Sequence, residues 1–115
     1  FCVKPRDMIA AIGPSIGPCC YEVGEEVHKK FILAGHTKAA LEKWFSQKRD
    51  SRCHLDLWQA NRDQLMFSGM SDDRIHTAGL CTSERTDLFY SHRQESNTAE
   101  RFAAVIRVCS KNDDV

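Results

Sequence analysis

Gly13-Pro14-Ser15-Ile16-Gly17-Pro18-Cys19-Cys20-Tyr21-Glu22-Val23-Gly24 is the stretch from which the fold of this chain is read. An apolar run, Asp7 to Ile12 (DMIAAI), feeds into it, and an amphipathic segment with early acids leaves it. That order predicts strand, turn, helix. Glycine reaches backbone conformations closed to other residues, while proline fixes φ and removes a donor. Two Gly-Pro pairs four residues apart therefore describe a specially shaped turn. Its thiols and amides face the carboxyl end of the strand, where open α/β sheets bind ligands.

Working outward, Met8–Ile12 reads as a buried strand, and a helix is expected from about Tyr21 to Leu33. Glu22, Glu25 and Glu26 sit in its first turns and Lys29 and Lys30 in its last, as the helix dipole favours. Val23, Val27 and Phe31 give it an inward face, and Gly35 ends it. His36–Gln47 reads as a shorter helix, and Lys48–Arg52 as loop. His28 and His36 fall on the predicted helix surfaces and are expected to be solvated. Leu55-Asp56-Leu57 opens a third helix with Asp56 as its N-cap, running to Gly69. Arg74–Leu80 alternates like a strand, Ser83–Thr86 is a polar turn, Leu88–His92 is a short aromatic strand, and Gln94–Glu100 is loop. Arg101–Val108 (RFAAVIRV) carries the strongest strand signal in the chain. The expected order is β-α-α-α-β-β-β, an α/β or α+β unit.

At 115 residues the chain has the length of one domain. Hydrophobic content of 42% and charged content of 28% lie in the globular range. Lys+Arg and Asp+Glu balance at 16 each, which argues against a nucleic-acid module and against a surface held to anionic lipid. No apolar run reaches transmembrane length and no signal peptide is visible. The opening Phe1-Cys2-Val3 reads as that of a fragment or processed piece of a longer protein. Six cysteines (2, 19, 20, 53, 81 and 109) raise the possibility of a disulfide scaffold, but nothing marks secretion and the spacing is uneven. Scattered free thiols in a cytoplasmic protein are the reading.

Three groups of residues bear chemistry. The Gly13–Cys20 turn reads either as a structural turn with buried small thiols or as an anion cradle. In the second reading, free N–H groups at the start of the Tyr21 helix hold a ligand oxygen and lower a nearby thiol's pKa. Neither a Walker loop nor G-x-G-x-x-G is present. Ser91-His92-Arg93, with Thr98 and Arg101 beyond, ends a strand. Ser91 and Arg93 share a face there and form a phosphate or carboxylate clamp more naturally than Ser91 and His92 form a nucleophile pair. A solvated strand end is the alternative. Cys53-His54 and Cys19-Cys20 offer soft metal ligands, but no C-x-x-C or H-x-x-x-H spacing appears, so no complete metal site is expected from this chain.

Taken in order, Ile12–Val27 (IGPSIGPCCYEVGEEV), Asp56–Met70 (DLWQANRDQLMFSGM) and Cys81–Phe102 (CTSERTDLFYSHRQESNTAERF) closely resemble the carboxyl-terminal half of the YfiH-like, or laccase-domain, proteins, also called multicopper polyphenol oxidases. The likeness runs from about Asp7 to Val108, its first segment being the most specific. It implies that residues 1–115 are the carboxyl-terminal part of one laccase domain, a layered α/β/β/α sandwich whose amino-terminal half is missing here. It also implies a cytoplasmic enzyme of purine nucleosides. The implied activities are phosphorolysis of adenosine, inosine and methylthioadenosine, adenosine deamination, or copper-dependent phenol oxidation.

The metal implied is zinc, with copper as the alternative, held by two His and a Cys in E-Q-V-H-G, T-A-D-C and H-A-G-W-R-G segments. None of these occurs in this sequence, so the ligands are expected outside it. The substrates implied are a purine nucleoside and phosphate, and the partner the missing half or a second copy. On this reading Ser91, Arg93 and Arg101 hold phosphate, and Gly17, Cys19 and Cys20 form substrate contacts. No catalytic residue is assigned. Where the family reads F-F-S-Y-R-R-D and then T-G-R, this chain has Leu88–Gln94 and Thr98–Arg101, and Ser91, Arg93, Thr98 and Arg101 align with one extra residue before Arg101. Glu100 replaces a usual glycine, so that loop's geometry is not carried over. The chain alone is expected to be inactive, or to be a non-catalytic half.

Overall fold

The strand that enters the Gly-Pro turn finds its partner more than sixty residues away. In the computed structural model, which describes residues 2–47, 52–95 and 100–107, β1 (Ala10–Ile12) pairs in parallel with the last strand, Ile75–Thr77. The register sets Ala10 opposite Ile75 and Ile12 opposite Thr77. Between them the chain forms β2 (Glu22–Val23), α1 (Glu25–Leu33), α2 (Lys38–Trp44), β3 (Phe45–Gln47), β4 (Cys53–Leu55) and α3 (Leu57–Phe67), which makes Ile75–Thr77 β5. β4 lies between β2 and β3 in a second, antiparallel sheet. The fold is thus a mixed arrangement of helices and two small sheets, as expected from the sequence.

Two of the three helices start at a side chain that caps a backbone N–H. Asp56 caps α3 by accepting from the Gln59 N–H at 2.9 Å, and Thr37 caps α2 through Ala40 N–H at 3.2 Å. α1 has no side-chain cap, but Glu25 and Glu26 occupy its first turn, where the dipole favours acids. Gly35 and Gly69, at φ of 89° and 103°, close α1 and α3 in the left-handed conformation.

Leu41, Trp44, Leu55 and Ala60 form the core, with Tyr21, Val23, Val27, Phe31, Phe45 and Leu57 packed around it. Asp63, on α3, ties this core to α2: its carboxylate accepts from Trp44 Nε1 (2.8 Å), Lys43 Nζ (2.9 Å) and Gln59 Nε2 (2.8 Å). Arg62 joins the same helix to β5, donating to the Ile75 carbonyl at 2.9 Å and to Asp72 at 2.8 and 2.9 Å.

Several expectations are corrected. The helix expected from Tyr21 begins at Glu25, because Glu22 and Val23 pair with His54 and Cys53 instead. The second helix ends at Trp44 and its predicted tail is β3. Leu88–His92 is a turn, with Leu88 and Phe89 N–H both bonded to the Arg85 carbonyl. Residues 101–107 form no strand, and the end of that expected strand, Val108, lies outside the described residues, as do the loop residues 48–51 and 96–99. His28 and His36 are half-buried rather than solvated, with ring centroids 4.8 Å from Phe45 and 5.0 Å from Trp44 respectively.

Candidate functional site

Past β1 the chain makes one further parallel contact with the segment after β5, an isolated bridge between Ser15 and Cys81. Ser15 N–H donates to the Leu80 carbonyl (3.3 Å) and Thr82 N–H to the Ser15 carbonyl (3.1 Å). That bridge delivers Cys81 to the Gly-Pro turn. Gly17 N–H then donates to Cys81 Sγ at 3.2 Å. Trp58, on α3, closes the other side, its Nε1 donating to Ser15 Oγ at 2.8 Å. The indole lies so close to Gly17 that a Cβ there would sit 2.7 Å from its Cη2 and 3.3 Å from Cys81 Cβ. Glycine is needed at 17 for this close approach.

The turn folds on itself. Cys20 and Tyr21 N–H both donate to the Gly17 carbonyl at 3.0 Å, and Glu22 N–H to the Cys20 carbonyl at 3.0 Å. The amides expected to cradle an anion at the start of a Tyr21 helix are therefore largely spent inside the turn, and the helix itself begins three residues after Glu22. What the fold brings together instead is sulfur. The Sγ atoms of Cys19, Cys20 and Cys81 all lie within 4.8 Å of one another. Cys81 is buried, Cys20 half-buried and Cys19 exposed.

Cys81 and Cys19 hold their protons unequally. Burial works against a charged Cys81, but the backbone N–H groups of Gly17, Glu84 and Ser83 and the Cys19 thiol donate to its sulfur and hold its pKa below the ordinary thiol value. Cys19 is pushed up to about 12, first by desolvation and then by its hydrogen bonds and proximity to Cys20 and Cys81. Of these two, Cys19 is thus the thiol that keeps its proton and Cys81 the one that ionises more readily. The five described cysteines, Cys2, Cys19, Cys20, Cys53 and Cys81, are all free of disulfide.

The Ser91–Arg93 segment meets the exit of the same turn. The Arg93 guanidinium stacks over the Tyr21 ring, 5.3 Å from its centroid, and donates to the Glu22 carbonyl at 3.3 Å. Ser91 is buried; its Oγ accepts from Gln94 N–H (3.4 Å) and its N–H donates to Glu95 (3.3 Å). Arg93 and the Gly17–Cys20 turn therefore belong to one neighbourhood. Arg101 is exposed and donates to the Glu100 carbonyl at 2.8 Å; among the described residues no hydrogen bond joins it to Ser91 or Arg93. His54 is buried on β4 with its Nδ1 lacking a hydrogen-bond partner. The two-histidine, one-cysteine metal set implied by the resemblance is not assembled among the described residues. The donor set that does assemble is all sulfur, and sequence spacing could not have found it because Cys81 arrives through strand pairing.

Residues 1–109 match the family described as multi-copper polyphenol oxidoreductase laccase. The chain belongs to this family. Within the laccase family it is 36% identical over 104 residues to the purine nucleoside phosphorylase YlmD of Geobacillus stearothermophilus, covering 90% of this chain and 37% of that protein. The YlmD protein of Bacillus subtilis, also named a purine nucleoside phosphorylase, is 37% identical over 103 residues, covering 90% of this chain and 36% of its own length. Among solved structures, the Bacillus licheniformis hypothetical protein YfiH superposes with a TM-score of 0.73 at 34% identity, over 82% of this chain and 34% of the other. The chain spans little more than a third of the length of the curated relatives it matches.

Proposed function

We propose that this chain supplies one wall of a purine nucleoside phosphorylase, the part that receives phosphate and borders the nucleoside. The observation that carries the reading is Arg93 seated against Tyr21 at the exit of the Gly17–Cys20 turn, in a family whose relatives are named for that activity. Phosphorolysis attacks the ribose C1′ with phosphate while the purine leaves, so charge on the incoming anion must be offset by fixed donors. Arg93 is the cation of that clamp closest to the turn, the buried Ser91 lies in the turn beside it, and Arg101, exposed and bonded here to the Glu100 carbonyl, is a second cation that phosphate would have to draw in. Gly17, Cys19 and Cys20 shape the nucleoside-facing wall. Adenosine deamination, which uses metal-activated water, depends on zinc or copper ligands outside this chain, as does phenol oxidation. The free thiols support a reducing compartment, the cytoplasm.

The test is Arg93→Ala in the intact protein, assayed for phosphate-dependent release of hypoxanthine from inosine. Loss of a preorganised charge partner is expected to lower kcat/KM for phosphate by about 10²–10³. An unchanged phosphate dependence would remove Arg93 from the site.

A further inference from the structure

We propose that Cys19, Cys20 and Cys81 form a binding site for a soft monovalent metal ion, Cu(I), held by three sulfurs and no histidine. Two remote parts of the chain build the site. The Gly-Pro turn carries Cys19 and Cys20, and the Ser15–Cys81 bridge brings in the third sulfur from 61 residues further on. A metal–sulfur bond of about 2.3 Å places three sulfurs around one ion about 4 Å apart. The three observed sulfurs, all within 4.8 Å, reach that spacing by side-chain adjustments of less than about 1 Å.

The frame is held from behind. Cys81 is fixed by strand pairing and by the Gly17 N–H, and the turn is pinned between Cys81 and Trp58. Exposed Cys19 leaves one side open for the ion to enter.

The choice of ion follows from number and softness. Structural zinc is almost always four-coordinate, and among the described residues no fourth His, Cys, Asp or Glu joins this group. Thiolates select soft ions, and three-fold sulfur coordination suits Cu(I). As each metal–sulfur bond forms, a thiol that still carries its proton releases it to solvent. Binding rests on the thiols alone and not on the phosphorolysis reading, and it is measured without nucleoside or phosphate. A failed phosphorylase assay and a failed metal site are therefore separate results.

The intact protein, reduced and kept anaerobic, is titrated against the Cu(I)–bicinchoninate complex, alongside Cys19→Ser, Cys20→Ser and Cys81→Ser variants. The wild type is expected to take one Cu(I) per chain that each of these variants fails to retain. The loss should exceed the roughly 10–100-fold that removal of an outer-shell partner costs. X-ray absorption at the copper edge is expected to show only sulfur neighbours for that ion. Cys2→Ser and Cys53→Ser serve as controls and keep it. Cys19 is exposed, so its variant keeps the fold, checked by circular dichroism, if Cys81→Ser does not. Retention of the ion by Cys19→Ser, nitrogen neighbours for the ion it loses, or displacement of Cu(I) by equimolar Zn(II) would each overturn the proposal.

Discussion

Asp63 shows how much one side chain of this chain holds in place. Burial disfavours its charge, yet donors from Trp44, Lys43 and Gln59 together outweigh that and keep its carboxyl below the usual value. A carboxylate lowered in the folded state stabilises fully above its unfolded pKa of 3.8, and that contribution disappears as pH falls through the folded value. Asp63→Ala would leave the Trp44 indole N–H without its acceptor inside the core, at a cost of about 1–3 kcal/mol. Urea unfolding at neutral pH is expected to show that loss, and an acid titration should show the wild type losing the advantage below about pH 4. A variant as stable as the wild type at pH 7 would show that the network contributes nothing net. Asp63 was legible only as a polar position on a helix; its three donors come from two helices, and spacing along one cannot reveal them.

At the scale of elements, the close approach of the Gly-Pro turn to α3 is the contact most open to test. Gly17→Ala forces a methyl to 2.7 Å from the Trp58 ring, and overpacking of this kind costs about 1–3 kcal/mol. Trp58→Leu in the same chain removes the clashing ring, so the two changes should be non-additive in a double-mutant cycle followed by denaturant unfolding. Strict additivity would mean that the turn and α3 are not in contact.

The three helices were readable because caps, charges and glycines act within a few residues. The two-residue β2 and three-residue β3 and β4 were not. Such strands exist through their cross-strand partners, and neither Glu22–Val23 nor Cys53–Leu55 is long enough to show a period. The opposite error fell on Leu88–His92 and Arg101–Val108, whose aromatic and β-branched residues fit a pleated surface. In the described residues they have no ladder to join.

The whole molecule is more open than its mass suggests. It exposes 8946 Å², where a compact protein of 13.1 kDa exposes about 6,400 Å². Its radius of gyration is 16.9 Å, against about 13 Å for a compact domain of this length. Val105 and Ile106, 93% and 88% exposed, lie on this surface together with Leu33 and Phe67. The 115-residue chain by itself is therefore expected to self-associate in size-exclusion chromatography and to leave inosine and adenosine unconverted. Val105→Asp with Ile106→Lys should shift it toward monomer. A cooperative monomer that turned over inosine would show that the chain is an autonomous enzyme.

The mixed fold class, the helices and the special turn at Gly13–Cys20 were legible in the chain alone, because they rest on local backbone preferences and on a family pattern carried in contiguous residues. The meeting of Cys81 with Cys19 and Cys20, the seat of Arg93 on Tyr21 and the short strands were decided only in three dimensions. Except for β3 on β4, whose partners lie six to ten residues apart, each depends on pairing between segments tens of residues apart, and contacts of that separation leave no period or spacing in a single chain.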